Sequence, residues 1–277
     1  MRLHSNLKNI ISAKKIIKRL EVVRLNKLSP LLRANPNFPS SAGSERQYLE
    51  LTLRGSSELI DLINVIGELE QNNQTTKTRK NYAETAKSIE LRKIFDSNGS
   101  DKGSIHNYDV VYAEIINTNP AKIFDIFEIG LGTNNLDVVS NMGQDGRPGA
   151  SLRSWREFIP NSSIVGCDID SRVLFSEEQI ETHHLDQTSD ESWTNLLHKL
   201  NQRQFDLIID DGLHSPFANL RTIIHGLKIL KKSGIIVIED ISEKSLPVFN
   251  LLMNGPLRNY KTEIVKTRLS HLFIVRT

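Results

Sequence analysis

Two short acidic segments carry the most chemistry in this chain. Asp210-Asp211-Gly212-Leu213-His214 directly follows the apolar run Phe205–Ile209, and Glu239-Asp240 directly follows Gly234–Ile238. Where both runs are strands of a parallel sheet, consecutive crossover strands bring the two acidic pairs to one edge. Three or four carboxylates gathered there repel each other unless a cation neutralises them. Oxygen-rich sites suit a hard divalent ion such as Mg2+, so a metal is the economical expectation. His214 lies three residues past Asp211, at the mouth of the same site. A histidine with a near-neutral pKa can take a proton from a substrate hydroxyl, while a metal binds and orients that oxygen. The plainer reading of His214 is a loop or capping histidine ahead of a helix at Pro216. His183, His184, His225 and His271 read as structural or solvated.

A second group of residues suits a nucleoside ligand. Phe127-Glu128-Ile129-Gly130-Leu131-Gly132 leaves an apolar run into a glycine turn, where backbone can approach a ligand closely. A dinucleotide fingerprint would place a third glycine where Asn135 stands, and a long polar loop, Thr133 to Pro148, follows instead. Asp168 ends the next apolar run, where a carboxylate can accept from both ribose hydroxyls of an adenosine. Its plainer role is a cap for Ser171–Val173. Asp186-Gln187 follows a weaker run, Ile180–Leu185, and is expected near the base. Upstream, Ser100 to Tyr108 is a polar, glycine-containing segment. From it Lys102 could pair with a ligand carboxylate and Tyr108 could cover the site.

Alternating strands and helices must position these groups. Ile123–Ile129, Ser163–Cys167, Ile180–Leu185, Phe205–Ile209 and Gly234–Ile238 are the expected strands. Helices are expected at about 151–158, 191–202 and 216–230. Such alternation implies a parallel sheet covered by helices, with ligands at the carboxyl ends of the strands. Every acidic pair named above sits at such an end. The fold expected is α/β, a Rossmann-like three-layer domain over residues 81–277, preceded by a helical extension and linker over 1–80.

That extension is basic. Residues 1–80 hold 14 Lys+Arg against 7 Asp+Glu (+7), leaving 21 against 26 (−5) for the rest of the 277-residue chain. Leu7, Ile10, Ile11, Ile17, Leu20, Leu28 and Leu31 form a helical stripe with lysines between them. It could lie on a membrane surface, but packing on the catalytic domain or pairing in a homo-oligomer is favoured. A second helical stretch spans about 44–69, with Gly55 a candidate break, and 71–80 reads as linker. Aromatics are scarce in the basic part, so no nucleic-acid partner is expected. No apolar run reaches the ~20 residues of a membrane helix. The single cysteine, Cys167, excludes an intramolecular disulfide and fits a reducing cytoplasm.

Taken in order, Asp101-Lys102, His106-x-Tyr108, Glu128-Ile-Gly-x-Gly132, Gly149-Ala-Ser-Leu-Arg-x-Trp155, Gly166-x-Asp168, Asp186-Gln187, Asp210-Asp-Gly-x-His214 and Glu239-Asp240 resemble the metal-dependent sugar O-methyltransferases of macrolide biosynthesis. These are class I S-adenosylmethionine-dependent enzymes. The resemblance spans about 100–240 and leaves 1–80 unassigned. It implies a seven-stranded sheet whose last strand, Leu269–Val275, is antiparallel, with Lys261–Val265 before it. It implies Mg2+, or another divalent cation, on Asp211, Glu239 and Asp240, and His214 as general base. It implies Glu128, Gly130, Ser151, Asp168, Gln187 and Asp210 around S-adenosylmethionine. With Gly132 and Asp186 from the turn and strand end, and Lys102 and Tyr108 from the upstream segment, these complete the expected cofactor site. The acceptor implied is a hydroxyl of a sugar, a glycan or another glycosylated molecule. Leu213 stands where the family often has serine, and the loop 133–148 is longer than expected, so the acceptor is the least defined element. Two other classes compete. A nicotinamide-dependent oxidoreductase shares the strand–glycine–acid pattern but leaves the acidic cluster unexplained. A non-catalytic, membrane-associated binding protein would explain the basic helix but not the acidic strand ends.

Overall fold

The computed structural model describes residues 82–118 and 124–277, together with Gln47, Glu50, Leu51, Arg54, Gly55 and Glu58. The basic stripe at 7–32 and the linker at 71–80 lie outside the described residues. Two helices precede the first strand. Helix α1 (Ala86–Asn98) opens with a capping box, in which Thr85 Oγ1 accepts from the Ser88 N–H and Ser88 Oγ from the Thr85 N–H. It closes on Gly99 in the left-handed region. Helix α2 is Asp109–Thr118. Arg92 ties the two together through Asp109 at 2.9 Å. The remaining elements alternate: β1 (Phe124–Ile129), α3 (Ala150–Phe158), β2 (Ser162–Asp168), β3 (Ser176–Glu177), β4 (Ile180–His184), α4 (Asp190–Lys199), β5 (Phe205–Asp210), α5 (Pro216–Ile229), β6 (Leu230–Ile241), α6 (Leu246–Asn254), β7 (Lys261–Lys266) and β8 (His271–Arg276).

One sheet runs in the order β3-β4-β2-β1-β5-β6-β8-β7. The five strands from β4 to β6 are parallel, and β8 slots antiparallel between β6 and β7. The seven expected strands are all present. The eighth, β3, is a two-residue antiparallel partner of β4, too short to leave a periodic signature. Strand order reverses at β1, between β2 and β5, which opens a crevice at the carboxyl ends of those strands.

Side-chain alternation sends each strand's apolar residues to two helical layers. Ile126, Ile164, Leu207, Ile209 and Val237 pack on α1, α2 and α3 through Leu91, Phe95, Tyr112, Leu152 and Trp155. Phe127, Val165, Ile208, Ile236 and Phe273 pack on α4, α5 and α6 through Trp193, Leu196, Phe217, Leu220 and Phe249. Trp193 is an anchor of the second layer. It is fully buried, stacks on His225 with ring centroids 4.9 Å apart, and donates its indole N–H to the Gln187 carbonyl at 3.0 Å. Trp193→Ala is expected to cost about 3–5 kcal/mol of stability, read as a lower urea midpoint.

Candidate active site

The switch-point crevice is a groove open to solvent at the carboxyl ends of the strands, where sheets of this kind take small ligands. Its floor is the Ile129–Gly130 turn, and Asp168, Asp186, Gln187 and Asp211 stand around it. Gly130 has φ 94° and lies against β5, so a Cβ would meet the Asp211 carbonyl oxygen at 2.0 Å. Glycine is therefore required for β1 and β5 to turn away side by side. Asp168 is almost buried; its Oδ2 accepts from the Leu131 N–H at 2.9 Å and its Oδ1 from the Asp170 N–H at 2.8 Å. Burial pushes this carboxyl up, against the two backbone hydrogen bonds. Capping of the short turn 171–173 falls to Asp170, which accepts from the Arg172 N–H.

The loop 133–148 is an excursion with pinned ends. The Gly149 N–H donates to the Leu131 carbonyl at 2.7 Å, and the Met142 N–H to the Thr133 carbonyl at 2.9 Å. Thr133 and Asn135 both donate to Asp170 Oδ2 at 2.7 Å. Val138, Val139 and Ser140 then form one wall of the crevice.

Behind the crevice, one ammonium group organises three carboxylates. Lys102 is 1% exposed. Its Nζ donates to Asp211 Oδ2 at 2.6 Å and to Glu239 Oε2, and lies 3.6 Å from Glu128 Oε1. Burial alone would lower the Lys102 pKa, but Asp211, Glu239 and Glu128 outweigh it and hold it well above the ordinary value. One positive charge cannot satisfy three negative ones. Burial, with Asp211 and Glu128 nearby, leaves Glu239 well above the ordinary carboxylate range despite Lys102. The Tyr112 hydroxyl donates to the other Glu239 oxygen. Glu128 is completed by the Ser151 hydroxyl at 2.6 Å and the Trp155 indole N–H. The cation that the acidic strand ends demand is thus, for these three carboxylates, a lysine of the chain itself.

Asp211 divides its two oxygens. Oδ2 takes Lys102, while Oδ1 lies 4.0 Å from His214 Nε2. Asp240 divides likewise: Oδ1 accepts from the Tyr108 hydroxyl at 2.8 Å and lies 3.4 Å from His106 Nδ1, while Oδ2 lies 4.0 Å from His214 Nδ1. Donor atoms of Asp211, His214 and Asp240 all fall within 4.8 Å of each other, close enough to hold a metal ion. Burial raises Asp211 to about 6, against the pull of Lys102 and His214. Asp240 moves the other way, because His214, His106 and Tyr108 together outweigh its burial. Asp240 sits at a register shift between β6 and β8, and both it and His214 have left-handed backbone, φ 53° and 54°.

The expected residues therefore fall into the crevice, the buried network behind it and the Asp211–His214–Asp240 trio. Gly130, Gly132, Asp168, Asp186, Gln187 and Asp211 line the crevice. Lys102, Glu128, Ser151 and Glu239 form the buried network behind it. Asp210 is buried too, accepting from Gln187 at 2.7 Å and Asn219 at 3.0 Å, which ties the end of β5 to α5. Tyr108 is buried, with its hydroxyl on Asp240. Sequence reasoning passed over Tyr112, Trp155 and His106 as individual groups. Tyr108 and Tyr112, four residues apart and so on one helical face, were the available signal.

No family model matches the chain. It is similar to the 8-demethyl-8-alpha-L-rhamnosyl tetracenomycin-C 2'-O-methyltransferase of Streptomyces olivaceus, at 26% identity over 151 residues, which is 54% of this chain and 37% of that protein. It is similar to the mycinamicin VI 2''-O-methyltransferase of Micromonospora griseorubida, at 34% identity over 102 residues, 36% of this chain and 25% of that protein. The matches thus span about a third or less of these relatives' own length. Among solved structures the fold resembles the MycE methyltransferase of the mycinamycin biosynthetic pathway in complex with Mg, SAH and mycinamycin VI. The TM-score is 0.52 at 20% identity, over 67% of this chain and 54% of that one. The α/β fold is that of a class I methyltransferase.

Lys102→Met leaves two buried carboxyl groups, Glu128 and Glu239, and the half-buried Asp211 without their shared cation and is expected to destabilise the fold by about 3–5 kcal/mol. Adding Glu239→Gln, which removes one stranded charge, is expected to restore part of the loss. An unchanged urea midpoint for Lys102→Met would remove the ammonium from this role.

Proposed function

We propose that the chain is an S-adenosylmethionine-dependent O-methyltransferase, assisted by Mg2+ or another divalent cation, that methylates a hydroxyl of a sugar or glycosylated acceptor. One observation carries this reading. Asp211 belongs both to the wall of the crevice and to the Asp211–His214–Asp240 trio, so a nucleoside donor and a hydroxyl acceptor would meet at that carboxylate. The named activities of the two relatives, and the Mg, SAH and mycinamycin VI held by the similar structure, support the same chemistry.

In this reading Asp168 accepts from the ribose hydroxyls, the Gly130–Gly132 backbone passes under the donor, and Asp186 and Gln187 stand at the base. Gln187 is already engaged through both ends of its amide, by Asp210, Thr222 and the Leu213 N–H, and so is rigidly presented. Glu128, Ser151, Asp210, Lys102 and Tyr108 act from behind, by fixing the residues that face the ligands. Asp211 and Asp240 fit a hard cation, since each keeps one oxygen turned to the gap around His214. Glu239 would join them only by giving up Lys102. S-adenosylmethionine supplies an electrophilic methyl group, and the cation supplies positive charge beside the acceptor oxygen. His214 would take the acceptor proton as the methyl group passes to the oxygen and the methyl–sulfur bond breaks to release S-adenosylhomocysteine, with Asp211 and Asp240 on either side to stabilise the charged imidazole. The rest of the rate comes from in-line positioning. We place the enzyme in the cytoplasm; among the described residues no helix is long and apolar enough to cross a membrane.

Calorimetry tests the donor: S-adenosylmethionine is expected to bind, NAD not, and Asp168→Ala to abolish binding. Tight NAD binding alone would overturn the reading. With mycinamicin VI and other glycosylated acceptors and a labelled methyl donor, His214→Ala is expected to lower kcat by about 10^2–10^4 while donor binding persists. Chelation is expected to abolish turnover and added Mg2+ to restore it. Full turnover in the presence of chelator would remove the cation from the mechanism.

A further inference from the structure

The crevice has a wall that the strand–helix core does not supply. Gln47 and Leu51 line it, although they precede α1 by more than thirty residues in sequence. Gln47, Leu51, Arg54, Gly55 and Glu58 are helical and recur at the three- and four-residue spacing of a single helix face. Each of them meets the domain. Gln47 Oε1 accepts from the Val139 N–H at 3.2 Å. Leu51 packs against the core layer beneath α4 and α5. Arg54 donates to the Thr188 hydroxyl, with its guanidinium 4.0 Å from Asp186 Oδ2. Glu58 pairs with Arg221 at 2.7 Å. Gly55 accounts for the closeness of the approach: a Cβ there would fall 2.3 Å from the Phe217 ring on α5, so only glycine lets this face lie flat.

We infer that Leu51 is a donor-site residue and Gln47 a positioning residue for the excursion loop. The inference rests on the methyltransferase reading. Leu51 shares the crevice with Ile169 and Leu185 on the side where Asp186 and Thr188 present polar edges. Apolar faces with a polar rim suit a flat heteroaromatic base, so Leu51 packs on the adenine of the donor. Gln47, by accepting from the Val139 N–H, fixes the part of the crevice wall that the loop supplies. Gln47 and Leu51 therefore belong to the catalytic unit.

The chain's own chemistry provides a direct test. Its single cysteine, Cys167, is fully buried, and burial pushes the thiol well above its ordinary pKa. Leu51→Cys in the full chain therefore introduces the one thiol open to iodoacetamide. Saturating S-adenosylhomocysteine is expected to slow its alkylation about tenfold, as expected for an atom covered by a buried ligand. Independently, Leu51→Asp is expected to weaken S-adenosylhomocysteine binding about tenfold or more in calorimetry, and Leu51→Met to restore it. Equal alkylation rates with and without bound S-adenosylhomocysteine would overturn the assignment while leaving the methyltransferase reading intact. No binding of S-adenosylhomocysteine by the wild-type chain would overturn both. Loss of binding by Leu51→Cys at an unchanged melting temperature would support the assignment.

Discussion

The site depends on a buried ammonium group. Lys102 reaches from the turn between α1 and α2 to carboxylates at the ends of β1, β5 and β6, so one side chain fastens that turn to three strands. Taking a lysine out of water is costly unless partners compensate it, and here the compensation is over-supplied. The surplus negative charge is not spread evenly. Lys102 and Tyr112 absorb Glu239, and Lys102 takes one oxygen of Asp211. The remaining oxygens of Asp211 and Asp240 face His214. The ammonium thereby sorts a crowd of acids into those that hold the fold and those left to face a ligand.

Left-handed backbone also occurs at this site. Asn107, His214 and Asp240 all have left-handed φ, at 62°, 54° and 53°. Each such residue costs of order 1–3 kcal/mol unless its surroundings over-determine it. Those surroundings are visible. Asn107 donates its N–H to the Gly103 carbonyl, Asp240 is held by Tyr108, and His214 precedes the Ser215–Pro216 start of α5. The Asp240 carboxylate and the His214 ring lie 4.0 Å apart between these two left-handed positions.

Much of the fold was legible in the sequence because parallel strands buried on both faces read as short, continuous apolar runs. β1, β2, β5 and β6 ended within a few residues of the expected positions, and β7 and β8 also appeared where expected. The helices α1 and α2 were not legible. Much of α1 is exposed, with Leu91 and Phe95 its buried apolar anchors, and α2 is short and apolar nearly all round. The two acidic strand ends identified the site, but spacing alone could not divide it. Glu239 and Asp240 are neighbours with opposite surroundings, and both fall within the register shift between β6 and β8. Lys102 was noticed for its charge, yet the count of carboxylates around it belongs to the folded chain. The contribution of Gln47 and Leu51 was hidden for a similar reason: helical spacing shows that a face exists, not what it covers.

The pinned excursion after β1 has an evolutionary consequence. The Gly149–Leu131 hydrogen bond closes the stem at 2.7 Å, so α3 starts at the same point whatever lies between. The entropic cost of such a closed loop grows only with the logarithm of its length, about 0.6 kcal/mol per doubling. Insertions, deletions and new residues can accumulate in it without disturbing the sheet or the network behind it. Selection can therefore reshape the crevice wall, and with it the choice of ligand, while the start of α3 stays where the stem fixes it.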